Sequence, residues 1–221
     1  MISPDEEKLL KIGAAALVKP ITDAMGNILG PASKRVGIIL EQMLCDQLRN
    51  VDRVWLRAAS MLADAGLPVR PVPLKILKGI LDGASVEEDK EMQEMWSSLL
   101  ANAGTEGGGW EVPPTYIQIL RGLSPGDAAV FNHLFGRMSG ALGDNNVGTL
   151  EEIERGLPEY NVDRLYQHLK HLEHHDLISS DFETSQGIDT LTKNRHYYIT
   201  PLGGLFYHAC RPPNKGPSAT P

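Results

Sequence analysis

Four of the seven histidines of this 221-residue chain lie within eight positions, in the segment 168–180. His168, His171, His174 and His175 follow one another at spacings that place pairs of imidazoles on one face of a helix. Such a pair can supply two zinc ligands, but a closed zinc site needs four N or S donors and a catalytic site needs three. The sequence contains no HExxH motif. The spacing therefore favours a solvated or packed histidine cluster over a metal site, and we predict no cofactor.

Other catalytic patterns are missing from the sequence, which has no GxSxG, Walker A or CxxC motif. The glycine-rich segment 105–114 follows a predicted helix and carries Glu106 and Glu111, which would repel a phosphate. The remaining carboxylates stand where helix starts explain them, because a helix N-terminus favours negative charge. We therefore predict a protein that is not an enzyme.

Charge and cysteine content narrow the classes of partner and compartment. The net charge of −7 and the pI near 5.5 provide no strongly basic surface for non-specific phosphate binding. Cys45 and Cys210 lie far apart without ligand spacing, which favours reduced thiols and a cytoplasmic location. The apolar run 12–18 is too short to span a bilayer, and we predict no transmembrane segment. Peripheral membrane contact through the Gly/Ala-rich residues 1–29 is an alternative.

A long helix is predicted over residues 31–65, where apolar residues recur at steps of three and four and Gly66 supplies the stop. At about 1.5 Å per residue this helix measures about 50 Å, more than a small domain covers along its whole length. We expect it to pack against several shorter helices, a second protomer, or both. The proline-rich residues 67–74 follow as a stiff connector.

Three shorter helices complete a predicted N-terminal helical domain, residues 1–122. The first covers residues 74–81 and stops at Asp82 and Gly83. A capping box of Ser85 and Glu88 is expected to open the second, and the third covers residues 116–123. The residues predicted to form the structural core of the whole chain are Trp55, Met92, Trp96, Leu99, Leu100, Leu165, Leu169 and Leu172.

Residues 123–211 are predicted to form a second domain, followed by a disordered tail, residues 212–221. Ser124, Thr149 (with Glu152) and Asn161 are the expected N-caps of three successive helices. A strand from Leu177 to residue 182, a loop over 183–194, a second strand and a closing helix follow. This order resembles a winged helix. The predicted fold class is thus mainly α: a multi-helix domain with one long helix, plus a winged-helix domain containing a small β-hairpin.

Winged helices commonly place their third helix in the DNA major groove. Residues 124–221 nevertheless carry eight Lys and Arg against twelve Asp and Glu, a net charge of −4. The acidic balance favours a role in protein contacts or dimerisation and leaves DNA binding as an alternative. The candidate interaction surface consists of Arg164, Gln167, His168, Lys170, His171, Lys193 and Arg195.

A resemblance to a known family comes from the middle of the chain. GASVEEDKEMQEMWSSLLANAG, preceded by VPLKILKGIL and followed by PPTYIQILRGLSPGDAAVF, resembles the abortive infection alpha family, as does the upstream LGPASKRVGIIL. The resemblance implies a role in bacterial defence against phage and brings no established catalytic residues. The resulting prediction is an interaction or effector protein, acting as a homo-oligomer or with an unidentified protein partner. A DNA-binding regulator and a membrane-acting effector are the alternatives.

Overall fold

The computed structural model describes residues 32–106, 112–137, 146–181 and 195–213, with side chains from residue 42 onward. This part of the chain is mainly helical and has one small three-stranded antiparallel sheet near its C-terminal end, which confirms the prediction of a mainly α fold with a small sheet. Three predicted segments lie outside the described residues: the membrane-contact residues 1–29, the loop 183–194 between the two predicted strands, and the tail from residue 214. Among the helices described, none is both long enough and apolar enough to cross a membrane.

Helix α1 (Ala32–Ala65) has 34 residues and ends where Gly66 adopts a positive φ of 58°, as its sequence predicts. Its inner side buries Val54, Ala58 and Met61 against α2 (Leu74–Ser85) and α3 (Lys90–Ala103). The assignment of Trp55 to the core is wrong, since its side chain is 51% exposed. Trp55 lies about 100° around the helix from Val54, and α2 and α3 cover only the Val54 side. All the other predicted core residues are buried.

Helix α3 is the centre of the first half and is buried on nearly all sides. Its N-cap is Asp89, whose carboxylate accepts hydrogen bonds from the backbone N–H groups of Glu91 and Met92 at 2.9 and 3.0 Å. The predicted capping box of Ser85 and Glu88 is therefore wrong. Helix α2 continues past the expected stop at Asp82 and Gly83, so Ser85 is its last residue and donates instead to the Asp82 carbonyl.

The proline-rich connector after α1 lies against the end of α3. Val69 pairs with Thr105 as an isolated antiparallel bridge, and the Arg70 N–H donates to the Gly104 carbonyl at 2.8 Å. These contacts hold the connector next to the last turns of α1. Two helices then lead into the second half, α4 (Pro114–Gly122) and α5 (Pro125–Arg137).

The second half continues with β1 (Asn146–Thr149), α6 (Leu150–Gly156), α7 (Val162–His174), β2 (Ile178–Ser180), β3 (His196–Ile199) and α8 (Pro201–Ala209). The sheet order is β1-β3-β2, with Gly148 opposite Tyr197 and Ile178 opposite Ile199. Thr149 and Glu152 form the predicted capping box at the start of α6. The sequence interpretation missed β1, because this four-residue strand has one buried side chain, Val147, and no alternating pattern to reveal it.

Side chains from both halves share one contiguous apolar core. The rings of Tyr116 in α4 and Phe206 in α8 meet edge to face at 5.6 Å. The buried amide of Asn102, near the end of α3, donates to the carbonyls of Ala209 and Arg211 at 2.9 and 2.8 Å. The C-terminal helix is therefore fastened directly to the central helix of the first half.

Candidate functional site

The four clustered histidines lie in the second half of α7 and at its C-cap, which is His175. Asn161 caps this helix by accepting a hydrogen bond from the Arg164 N–H at 2.8 Å, as predicted. Its leucines Leu165, Leu169 and Leu172 are buried, so the residues between them form the polar side. The arrangement of this polar side decides whether the histidines are available to a ligand.

Two of the histidines bind a buried carboxylate from another helix. Asp127, the third residue of α5, is 2% exposed, and its two oxygens lie 2.8 Å from the Nδ1 atoms of His168 and His171. Its Oδ2 atom also accepts hydrogen bonds from the backbone N–H and the hydroxyl of Ser124, at 2.7 and 2.6 Å. We call these four residues the Asp127 cluster. Since an ionised carboxylate only accepts, both imidazoles donate from Nδ1.

The Asp127 carboxyl is held in its charged form. Burial alone raises the pKa of Asp127, but the hydrogen bonds from Ser124, His168 and His171 outweigh it, and the pKa lies below its usual value. The charged carboxylate in turn fixes the orientation of both rings. The Asp127 cluster thus joins α5 to α7 by charge-assisted hydrogen bonds.

His168, His171, His174 and His175, the candidate metal ligands, are not arranged around a common point where a metal ion could bind. Across the described residues, no group of three or more His, Cys, Asp or Glu side chains is arranged to hold a metal ion. Two of the rings face a carboxylate at hydrogen-bond distance, and the ring of His175 stacks edge to face with His171 at 4.8 Å. The histidines pack on protein groups.

A second acidic side chain engages the cations of the predicted interaction surface. Glu173 accepts hydrogen bonds from Lys170 at 2.6 Å and from the hydroxyl of Ser180, and its carboxylate lies 3.9 Å from an Arg195 nitrogen. Burial raises the pKa of Glu173. The hydrogen bonds from Lys170 and Ser180 and the charges of Lys170 and Arg195 lower it by more, so the pKa lies below its usual value. Lys170 and Arg195 are therefore largely compensated within the protein.

Of the predicted interaction surface, only Arg164 and Gln167 are classed as exposed among the residues described. His168 and His171 belong to the Asp127 cluster, Lys170 and Arg195 contact Glu173, and Lys193 lies outside the described residues. The sequence interpretation missed both acidic centres. Asp127 is separated from its histidines by 41 and 44 positions, so no local spacing indicates the contact.

We predict that the protein loses thermal stability as the pH falls from about 7.5 to 5.5. Burial lowers the pKa of His133, His175 and His208, and the charges of His171 and His174 lower that of His175 further. The unfolded chain binds these protons near pH 6.5, above the folded pKa values, so acid favours unfolding in that window. His175→Gln removes one such group and should reduce the fall in Tm. A fall in Tm as large as that of the wild type would contradict the assignment, provided that both proteins melt together at pH 7.5.

An apolar groove lies far along the chain from the histidines, between α1 and the connector. Trp55, Ala59 and Leu62 form its α1 wall, and Val69 and Val72 form the connector wall. Its volume is about 270 Å³, and Arg70 is the one charged residue in its lining. We call it the Trp55 groove. The sequence does not predict this groove, because the helical period of Trp55 suits the core equally well and the prolines of the connector indicate a spacer.

The exposed apolar residues of the Trp55 groove are large and adjacent. Val69 is 63% exposed and Trp55 is 51% exposed, while Leu62, Val72 and Leu77 are partly covered. Soluble monomers rarely expose contiguous apolar patches larger than a few hundred Å², and such patches usually mark a contact surface. One sequence signal points to the groove: Val69 and Val72 are apolar residues in a proline-rich segment, where no helix or strand is predicted to bury them.

Comparison with known proteins gives a match to a protein family. The sequence model of a family described as abortive infection alpha matches residues 49–210, which include both walls of the Trp55 groove and the Asp127 cluster. No curated protein and no solved structure matches the chain.

Proposed function

The chain belongs to the abortive infection alpha family, and on that premise we propose that it acts in bacterial defence against phage as a non-enzymatic protein that works through protein contacts. The observation that carries this proposal is the family match, which spans residues 49–210 and so includes both halves of the chain. The family suggests an abortive-infection role. The mode of action and a cytoplasmic location are our additions.

The surface supports contacts with protein more than chemistry on a small molecule. The Trp55 groove offers a tryptophan and several aliphatic side chains, the residue types that serve as anchors at protein interfaces. At the other end, the imidazoles and carboxylates of α5 and α7 are bound to one another in the Asp127 cluster. Those groups support the fold by joining the two helices.

A phage challenge tests the proposed role. Bacteria expressing the chain should show fewer plaques and a lower phage yield per infected cell than bacteria carrying an empty vector. Trp55→Glu should abolish this protection, because it places a charge in the groove. Leu56→Glu is the matched control, since Leu56 is 58% exposed on the same helix but does not line the groove. Equal plaque counts with and without the wild-type protein, across a broad phage panel, would refute the defence role.

DNA binding is a second candidate, favoured by the element order of the second half. The order helix, β1, helix, helix, β2, β3, with β3 central in the sheet, supports the winged-helix interpretation and makes α7 the helix that would enter a groove. Against it stand the net charge of −4 over residues 124–221 and the pairing of Lys170 with Glu173.

A gel-shift titration at low salt separates the two candidates. Salt-sensitive binding to duplex DNA that is lost in Arg164→Glu would favour the regulator, because phosphate contacts weaken steeply with salt. Our proposal predicts no shift at micromolar protein.

A further inference from the structure

We propose that the Trp55 groove is the contact surface between two copies of this chain, with Trp55 of each copy inserted into the groove of the other. This inference rests on the proposed function in one respect, which is that the protein acts through protein contacts. It adds that the partner is a second copy of the chain. Three features of the groove support it: the spacing of its residues, its size and the apolar area that it offers.

The exposed side of α1 has the spacing of a helix-pairing seam. Leu48, Val51, Trp55, Ala59 and Leu62 recur at steps of three and four, and each is exposed or partly exposed. Steps of three and four bring apolar side chains to one stripe, the pattern by which two helices pack together. The buried residues Val54, Ala58 and Met61 lie on a neighbouring stripe and contact this protomer's own helices. Within the described part of the chain, helix α1 therefore has one stripe that α2 and α3 cover and a second stripe that no described helix covers.

The size of the groove fits a single large side chain. At about 270 Å³ it is smaller than the roughly 300–1,000 Å³ of sites that enclose a drug-sized ligand. Trp55 itself forms part of the groove wall. A twofold axis passing beside Trp55 would thus bring each indole to the other copy's groove, and both copies would use the same patch, as a closed dimer requires.

The apolar area sets the size class of this contact. A tryptophan presents up to about 250 Å² when fully exposed, so the half-exposed Trp55 offers about 125 Å². With the partly exposed aliphatic side chains of the seam and Val69, the apolar area reaches roughly 300–400 Å² per copy. A standard interface has about 500 Å² of apolar area per partner, so this contact falls in the small, reversible class. We infer a dimer with a Kd of about 1–100 μM.

Sedimentation velocity over about 1–200 μM protein tests the inference, because a dimer in this affinity class changes its population across that range. The wild-type chain should shift from monomer to dimer, and its tryptophan emission should move to shorter wavelength as Trp55 becomes buried. Trp55→Glu and Val69→Glu, on opposite walls of the groove, should each weaken dimerisation by about 30-fold or more. Leu56→Glu, outside the groove, should dimerise like the wild type, and circular dichroism should show that all three variants remain folded.

Two results would overturn the dimer. The first is a wild-type chain that stays monomeric throughout, which would assign the groove to a different protein. The second is folded Trp55→Glu and Val69→Glu proteins that dimerise as well as the wild type, which would place the interface elsewhere. Neither result depends on the phage challenge. Protection by a chain that stays monomeric would overturn this dimer alone, and an intact dimer without any protection would overturn the defence role alone.

Discussion

Asp127→Ala is expected to lower the free energy of unfolding by about 3 kcal/mol, the range for removing one member of a buried, charge-assisted hydrogen-bond group. Asp127 is 2% exposed and accepts from Ser124, His168 and His171. Its removal leaves the N–H of Ser124 and the largely buried ring of His168 without their acceptor. Urea denaturation at pH 7 measures the effect.

The matched control is Asp163→Ala, which removes an exposed carboxylate from the first turn of α7. It should cost only about 0.3–1 kcal/mol, the usual value of a charge near a helix N-terminus. Asp127→Asn keeps the shape but supplies one acceptor oxygen in place of two, so its cost should lie between these values. An Asp127→Ala protein as stable as Asp163→Ala would show that the cluster adds little to stability.

Gly203→Ala is expected to destabilise the protein by about 2–3 kcal/mol, as overpacking against a rigid neighbour does. A Cβ atom at Gly203 would stand 2.0 Å from the carbonyl oxygen of Leu177 and 2.9 Å from its carbonyl carbon. The backbone cannot rotate away as a side chain can, so α8 must move away from Leu177, just before the start of β2. The same Leu177 carbonyl accepts the hydrogen bond of the Thr200 N–H at 3.1 Å, which the movement would strain.

The next residue provides the control. A Cβ at Gly204 meets no atom within 4 Å, so Gly204→Ala should raise the free energy of unfolding by about 0.5–1 kcal/mol through helix propensity alone. Thermal denaturation of the two single variants compares one methyl group at adjacent positions of one helix. If both variants gained stability, the close approach of α8 to Leu177 would be disproved.

Local signals predicted much of the fold. The stop of α1 at Gly66 and the caps at Thr149 and Asn161 were predicted from adjacent residues, because each depends on backbone groups within one helical turn. Where a signal was ambiguous the prediction failed. Ser85 and Glu88 satisfy the capping-box pattern, but Asp89 offers a better-placed carboxylate once α2 extends through Ser85.

The candidate sites were harder to predict because they depend on tertiary contacts. The spacing of the histidines indicated their shared helical face, but nothing near them indicated that Asp127 would lie between two rings. Trp55 illustrates the opposite error. Its periodic position suited the core equally well, and only the placement of α2 and α3 shows which of two neighbouring stripes on α1 they cover.

The amide of Asn102 has a consequence for how the chain responds to damage. Its three acceptors are the carbonyls of Ser98 in its own helix and of Ala209 and Arg211 at the far end of the sequence. Loss of α8 would remove two acceptors of this buried amide near the end of α3, and would also uncover the ring of Tyr116, which packs on Phe206. The first half of the chain thus depends on carbonyls that lie 107 and 109 positions further along the sequence. A nascent chain, or one cut before α8, would remain vulnerable to proteases until α8 had docked.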